Sequence, residues 1–157
     1  MKSIVIYYSR TGNTKEVANI IKDRLGSDLV EIKSFDSYDG TVGFIKGGFN
    51  AFRNSKTKIT PNTVNLSEYD LVFVGTPVWA SKPTPMINSI LSNCDFSNKK
   101  IITYITTAGS GAESTHNSMK TLIESNGGTV FDSFSVIEKD EGTIKEKANK
   151  ALDKLNI

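Results

Sequence analysis

A doubly wound α/β domain on a five-stranded parallel sheet, in the order 2-1-3-4-5, is the fold that this sequence predicts. Three observations predict it. Apolar runs alternate with helical patterns along the whole chain, as strand–helix–strand units with right-handed crossovers do. Three of these runs are nearly continuous: Ile4-Val5-Ile6-Tyr7-Tyr8, Leu71-Val72-Phe73-Val74, and Ile101-Ile102 through Ile105. Strands covered on both faces read this way, so these three are central. The two remaining runs are more polar. Leu29 to Lys33 carries Glu31 and Lys33, and Thr129 to Ile137 interleaves Val130, Phe134 and Val136 with Asp132, Ser133 and Ser135. Polar strands suit sheet edges, and placing the second and fifth strands there yields the stated order.

Taken in order, each element has its own signal. The first strand feeds a polar turn and then a helix whose apolar face is Val17, Ile21 and Leu25, with Gly26 to end it. After the second strand a further helix is expected around Phe44 to Arg53, weakened by Gly47 and Gly48. The third strand leads to a helix with Met86, Ile87, Ile90 and Leu91 on one face. The fourth leads to one with Met119, Leu122 and Ile123, stopped by Gly127-Gly128. The fifth leads to a last helix with Ile144, Ala148, Ala151, Leu152 and Leu155. No repeat, linker or low-complexity stretch interrupts the series, so residues 1–157 read as one domain.

Composition narrows the function classes. Hydrophobic residues make up 38% and charged residues 23% of the 157 residues, enough for a buried core and against disorder. A net charge of +2, from 19 basic and 17 acidic side chains, is too balanced for a nucleic-acid binder. No run approaches the roughly 18 apolar residues of a membrane span, and the start is too short an apolar stretch for a signal peptide. One cysteine, Cys94, cannot form an internal disulfide, which agrees with a reducing, cytoplasmic setting. Between Asp39 and Glu68 the only charged residues are Lys46, Arg53, Lys56 and Lys58. A solvated face is the favoured reading of this basic segment; if it faces the functional site, reaction rate falls as salt rises.

In sheets of this order ligands sit beyond the carboxyl ends of the strands, at the switch between the first and third. The loops after Tyr8, Gly75 and Thr107 are therefore the places to look. The first is Ser9-Arg10-Thr11-Gly12-Asn13-Thr14. It follows a buried strand and opens a helix, whose unpaired N–H groups suit a phosphate. Hydroxyls and an amide add side-chain partners, and Gly12 lets the backbone approach closely. Neither the nucleotide-triphosphate loop nor the dinucleotide fingerprint is present, so a terminal phosphate monoester fits best. Plain helix capping by Ser9, Thr11 or Asn13 is the competing reading.

Tyr8 to Thr14, Y-S-R-T-G-N-T after an apolar strand, resembles the phosphate-binding signature of the flavodoxin family, and the likeness extends over essentially the whole chain. The unbroken fifth strand makes it similar to short-chain members. The resemblance implies a flavodoxin-like fold holding flavin mononucleotide (FMN), with Ser9, Thr11, Asn13 and Thr14 on its phosphate. Arg10 either faces solvent or assists the phosphate. The second loop then supplies Thr76, Pro77, Val78, Trp79 and Ala80 to the flavin. Trp79, the only tryptophan, is expected to stack on the isoalloxazine rather than pack on the core. Pro77-Val78-Trp79 also resembles the corresponding loop of flavin-dependent quinone reductases. In the third loop, Thr107, Ala108, Gly109, Ser110 and Gly111 free the backbone to reach the polar pyrimidine edge.

Electron transfer between redox partner proteins is the function this implies, with a nicotinamide-dependent reductase of quinone-like acceptors as the alternative. Two departures from the resemblance bear on that choice. Flavodoxins are typically strongly acidic, and this chain is mildly basic. The second loop has no glycine between Thr76 and Pro85, so its backbone should be stiff and two-electron reduction preferred; Gly109 and Gly111 are the other places where a peptide could flip. No protein acid or base and no metal are required, since the cofactor carries the chemistry. His116 is expected to be a surface histidine rather than a proton donor at the flavin, and Cys94 a small buried hydrophobe. A receiver domain lacks its aspartate at the end of the third strand, a cysteine phosphatase lacks its nucleophile in the first loop, and G-x-S-x-G is absent.

Overall fold

The computed structural model describes residues 1–35 and 56–157. The helix expected at 44–53, and Lys46 and Arg53 of the basic segment, lie outside the described residues. The main sheet has five parallel strands: β1 (Ser3–Tyr7), β2 (Asp28–Glu31), β5 (Leu71–Pro77), β6 (Lys100–Thr107) and β7 (Thr129–Ile137). Their order is β2-β1-β5-β6-β7, which is 2-1-3-4-5 when only these strands are counted. A two-stranded antiparallel ladder, β3 (Lys33–Ser34) with β4 (Ile59–Thr60), stands apart from the sheet and was not expected.

The apolar patterning explains the layers. All five residues of β1 are buried, and in β5 and β6 only the terminal Pro77 and Lys100 are not; along the two edge strands exposure is mixed. Helices α1 (Asn13–Leu25) and α4 (Ile144–Leu152) pack on each other and cover one face, with Val17, Ile21, Ala148 and Leu152 in the core. Helices α2 (Pro85–Asn93) and α3 (Ala112–Ser125) cover the other, through Ile87, Ile90, Met119 and Ile123. Cys94 ends α2 at 3% exposure, its Sγ accepting from the Val64 N–H at 3.4 Å. The register of β6 and β7 slips once, between Ile101 and Ile102.

One packing contact fixes where the first helix begins. Gly75 on β5 has no room for a Cβ, because the Tyr104 ring of the neighbouring strand occupies that space. Tyr104 is wholly buried and stacks on Phe134, centroids 5.6 Å apart. Its hydroxyl donates to the Thr14 carbonyl at 3.2 Å. The first turn of α1 is thus tied to the sheet from beneath.

Candidate functional site

The three expected loops meet at the carboxyl edge of the sheet. Tyr8 N–H donates to the Gly75 carbonyl (3.2 Å) and Val78 N–H to the Thr106 carbonyl (3.0 Å), continuing the ladders past the strands. Tyr8 and Trp79 meet edge to face, centroids 5.7 Å apart. The second and third loops press together at Gly111, where a Cβ would stand 2.8 Å from Val78 Cγ1 and 2.9 Å from Ser81 Cα. A fourth loop, missed from the sequence, joins them. Glu138 N–H donates to the Thr107 carbonyl (2.8 Å), and the Glu138 carboxylate accepts from Asn13 Nδ2 (2.8 Å). It was findable from topology, since the end of β7 lies beside the end of β6.

Helix starts differ here in a telling way. At the far end of the chain, α4 has a complete capping box: Thr143 Oγ1 accepts from Glu146 N–H and the Glu146 carboxylate from Thr143 N–H. Among the described residues α1, α2 and α3 have no side-chain cap, and α1 and α3 begin at left-handed glycines, Gly12 (φ 107°) and Gly111 (φ 84°). The simple capping reading therefore fails for α1, although Ser9 Oγ does accept from Gly12 N–H at 3.1 Å. The first helical N–H of α1 to meet a carbonyl is that of Glu16, on Gly12 (2.8 Å). Among the described residues nothing stands within 4 Å of a Cβ built on Gly12. Uncapped N–H groups at the positive end of a helix dipole are the arrangement an anion needs.

The side chains of the first loop divide. Thr11 is exposed, and Ser9, Arg10 and Asn13 are half-buried. Thr14 is 1% exposed, and its hydroxyl is paired with Thr106 Oγ1 at 2.8 Å. Its hydroxyl braces the helix against β6. In the second loop Thr76 is buried and receives the Thr84 N–H at 3.2 Å. Trp79 is 6% exposed and belongs to the core cluster beneath α2 and α3, so it does not stand out as a bare stacking platform. Ala80 and Ser81 are exposed at the tip.

That tip also departs from expectation. Trp79 and Lys82 exchange two backbone hydrogen bonds, each 3.0 Å, across a two-residue turn. Ala80 (φ 49°) and Ser81 (φ 60°) are both left-handed, a conformation costing roughly 1 kcal/mol or more per non-glycine residue. The absence of glycine does not keep this loop in ordinary backbone regions. In the third loop, Thr107 Oγ1 donates to the Ser110 carbonyl (2.7 Å) and accepts from Gly109 N–H (3.3 Å). This rounds the backbone before α3 and leaves Ala108 and Ser110 exposed.

His116 is half-buried rather than fully exposed, and its hydrogen bonds lie away from these loops. It is partly buried in α3, with Nδ1 2.8 Å from Thr103 Oγ1 and Nε2 3.1 Å from Ser135 Oγ. Burial is the main cause that lowers its pKa from 6.5, partly offset by a backbone hydrogen bond to Phe134. As pH falls through 6.5 the unfolded chain takes up the proton first, so stability present above that pH declines below it. Chemical denaturation across this range should show the loss in the wild type and a flatter profile in His116→Gln. Equal slopes in both proteins would remove His116 from the account.

Comparison with known proteins places this geometry. The family described as Flavodoxin matches residues 2–139. No curated relative matches the sequence. A provisionally assigned flavoprotein from Bacteroides uniformis superposes with a TM-score of 0.78 at 21% identity, covering 98% of each chain. A flavoprotein from Lactobacillus acidophilus, solved in complex with FMN, superposes with a TM-score of 0.69 at 20% identity, over 85% of this chain and 92% of that one. Oxidised Flavodoxin 2 from Bacillus cereus superposes with a TM-score of 0.57 at 18% identity, over 97% and 96%. At such identities the likeness speaks for the fold.

Proposed function

This chain belongs to the flavodoxin family, and on that premise we propose that it binds one FMN at the carboxyl edge of the sheet and carries electrons between redox partners. The observation that carries the reading is the left-handed start of α1, uncapped and with space beside Gly12 among the described residues. A phosphate there would accept from the first N–H groups of the helix, with Ser9, Thr11 and Asn13 as side-chain partners. When bound, FMN supplies the electron-accepting ring. Val78 and Ala80 in the second loop, and the rounded backbone from Thr107 to Gly111, would line the ring's surroundings. Tyr8 and Trp79 support the second loop from the core side. Among the described residues no helix is long and apolar enough to cross a membrane.

The loop set is closed around one terminal phosphate, so the purified protein should take up FMN and reject FAD. Titration of the flavin-free protein, followed by flavin fluorescence, tests this; equal affinity for FAD would end the reading of the first loop. A second function within the same site, an FMN-dependent reductase using a nicotinamide donor, is favoured by the net charge of +2. An acidic carrier surface steers toward basic partners, and this chain lacks that excess. Anaerobic addition of NADH or NADPH separates the two. Rapid bleaching with no partner protein present marks the reductase, and slow or no bleaching marks the carrier.

A further inference from the structure

We propose that Lys139 sets the charge balance of the bound cofactor, its ammonium favouring the form of two-electron-reduced FMN that is ionised at N1. The inference rests on the FMN reading above and adds a residue to it. Lys139 follows β7 in the fourth loop. Its N–H donates to the Ala108 carbonyl at 3.3 Å, and the preceding Glu138 N–H donates to Thr107. These bonds hold its backbone against the third loop. Its stem then lies across Gly109. A Cβ on Gly109 would stand 3.0 Å from Cδ and 3.2 Å from both Cε and Nζ of Lys139. A side chain on Gly109 would therefore share its space with the end of the Lys139 side chain.

Several other charges of this corner are already committed, while Glu141, exposed two residues beyond Lys139, and Arg10 of the first loop are charged as well. Lys147 Nζ donates to the carbonyls of Ile137 (2.7 Å), Glu138 (3.1 Å) and Asp140 (2.9 Å). Lys82 Nζ donates to Ser118 Oγ at 3.3 Å, and the Glu138 carboxylate accepts from Asn13. Glu113 stands in the first turn of α3 and Asp140 is exposed beyond Lys139. The Lys139 ammonium makes no ion pair or hydrogen bond among the described residues. It is a free cation on the loop that, in the FMN reading, meets the pyrimidine edge.

Reduction of FMN by an external donor takes two electrons and either one proton, leaving N1 ionised, or two, leaving the ring neutral. A cation near N1 stabilises the first product over the second. The test is spectroelectrochemical measurement of the FMN potential against pH, for the FMN-loaded wild type, Lys139→Gln and Lys139→Arg. The plot breaks where the proton count changes from two to one. In Lys139→Gln the break should move up by about one pH unit, less at high salt because the ammonium is exposed. Lys139→Arg should keep the wild-type break. Gly109→Ala, which displaces the stem, should move it in the same direction as Lys139→Gln. An unmoved break in Lys139→Gln that still binds FMN overturns the inference and leaves the FMN reading standing. Failure of the wild type to bind FMN overturns both.

Discussion

Replacing Gly12 by valine should weaken FMN binding by well over tenfold, that is, by more than about 1.4 kcal/mol. Two effects act together. Gly12 sits at φ 107°, where a β-branched residue is strongly disfavoured. Its Cβ position also has no atom of the described residues within 4 Å, and on the FMN reading the phosphate would lie there. A valine would fill that cradle without touching the core. Gly12→Asn separates the effects, because asparagine tolerates positive φ better yet still carries a Cβ. Fluorescence titration of both variants, with thermal melts of the flavin-free proteins, measures affinity and strain independently. If Gly12→Val binds FMN as the wild type does, the loop is only the start of a helix.

The second large effect should come from a glycine that no ligand touches. Gly75→Ala is expected to cost about 3 kcal/mol of stability, at the upper end for overpacking, because the new methyl group falls within the Tyr104 ring. The ring cannot retreat easily. It is wholly buried, stacked on Phe134, and bonded through its hydroxyl to Thr14. Any shift would be passed to the first turn of α1, so FMN affinity should fall along with stability. Tyr104→Leu makes room, and a double-mutant cycle in urea should show Gly75→Ala to be less damaging in that background. Additive losses would mean that the strand has simply moved aside.

The sheet was legible because its signal is long and redundant. Runs such as Ile4 to Tyr8 and Ile101 to Ile105 are continuous where both faces are covered, and the edge strands are more polar. The ladder of Lys33–Ser34 with Ile59–Thr60 was not legible, since two residues carry no period. The phosphate loop could be read from its hydroxyls around a glycine ahead of a helix, but how its side chains are spent could not. Thr14 looks like Thr11 in the sequence, and only the tertiary contact with Thr106 turns it inward. The left-handed turn at Ala80-Ser81 was hidden for a related reason. Neither residue advertises positive φ, so surrounding contacts must impose it. The half-burial of His116 was hidden too, since nothing local in the sequence announces its contacts with Thr103 and Ser135.

The outer edge of the sheet has a bearing on how the chain behaves at high concentration. Among the described residues β7 is paired on one side only, and its nine residues make it the longest strand. Such an edge can template another chain, and proteins restrain it with charge, irregular register and twist. Here the register slip between Ile101 and Ile102 falls in the first half of the ladder, next to Phe131, which is 46% exposed. Asp132 follows immediately, and Lys100 Nζ lies 5.1 Å from the Phe131 ring centre. A carboxylate, an ammonium and one irregular step, the kinds of feature that discourage strand-to-strand association, are thus gathered at a single point of this edge.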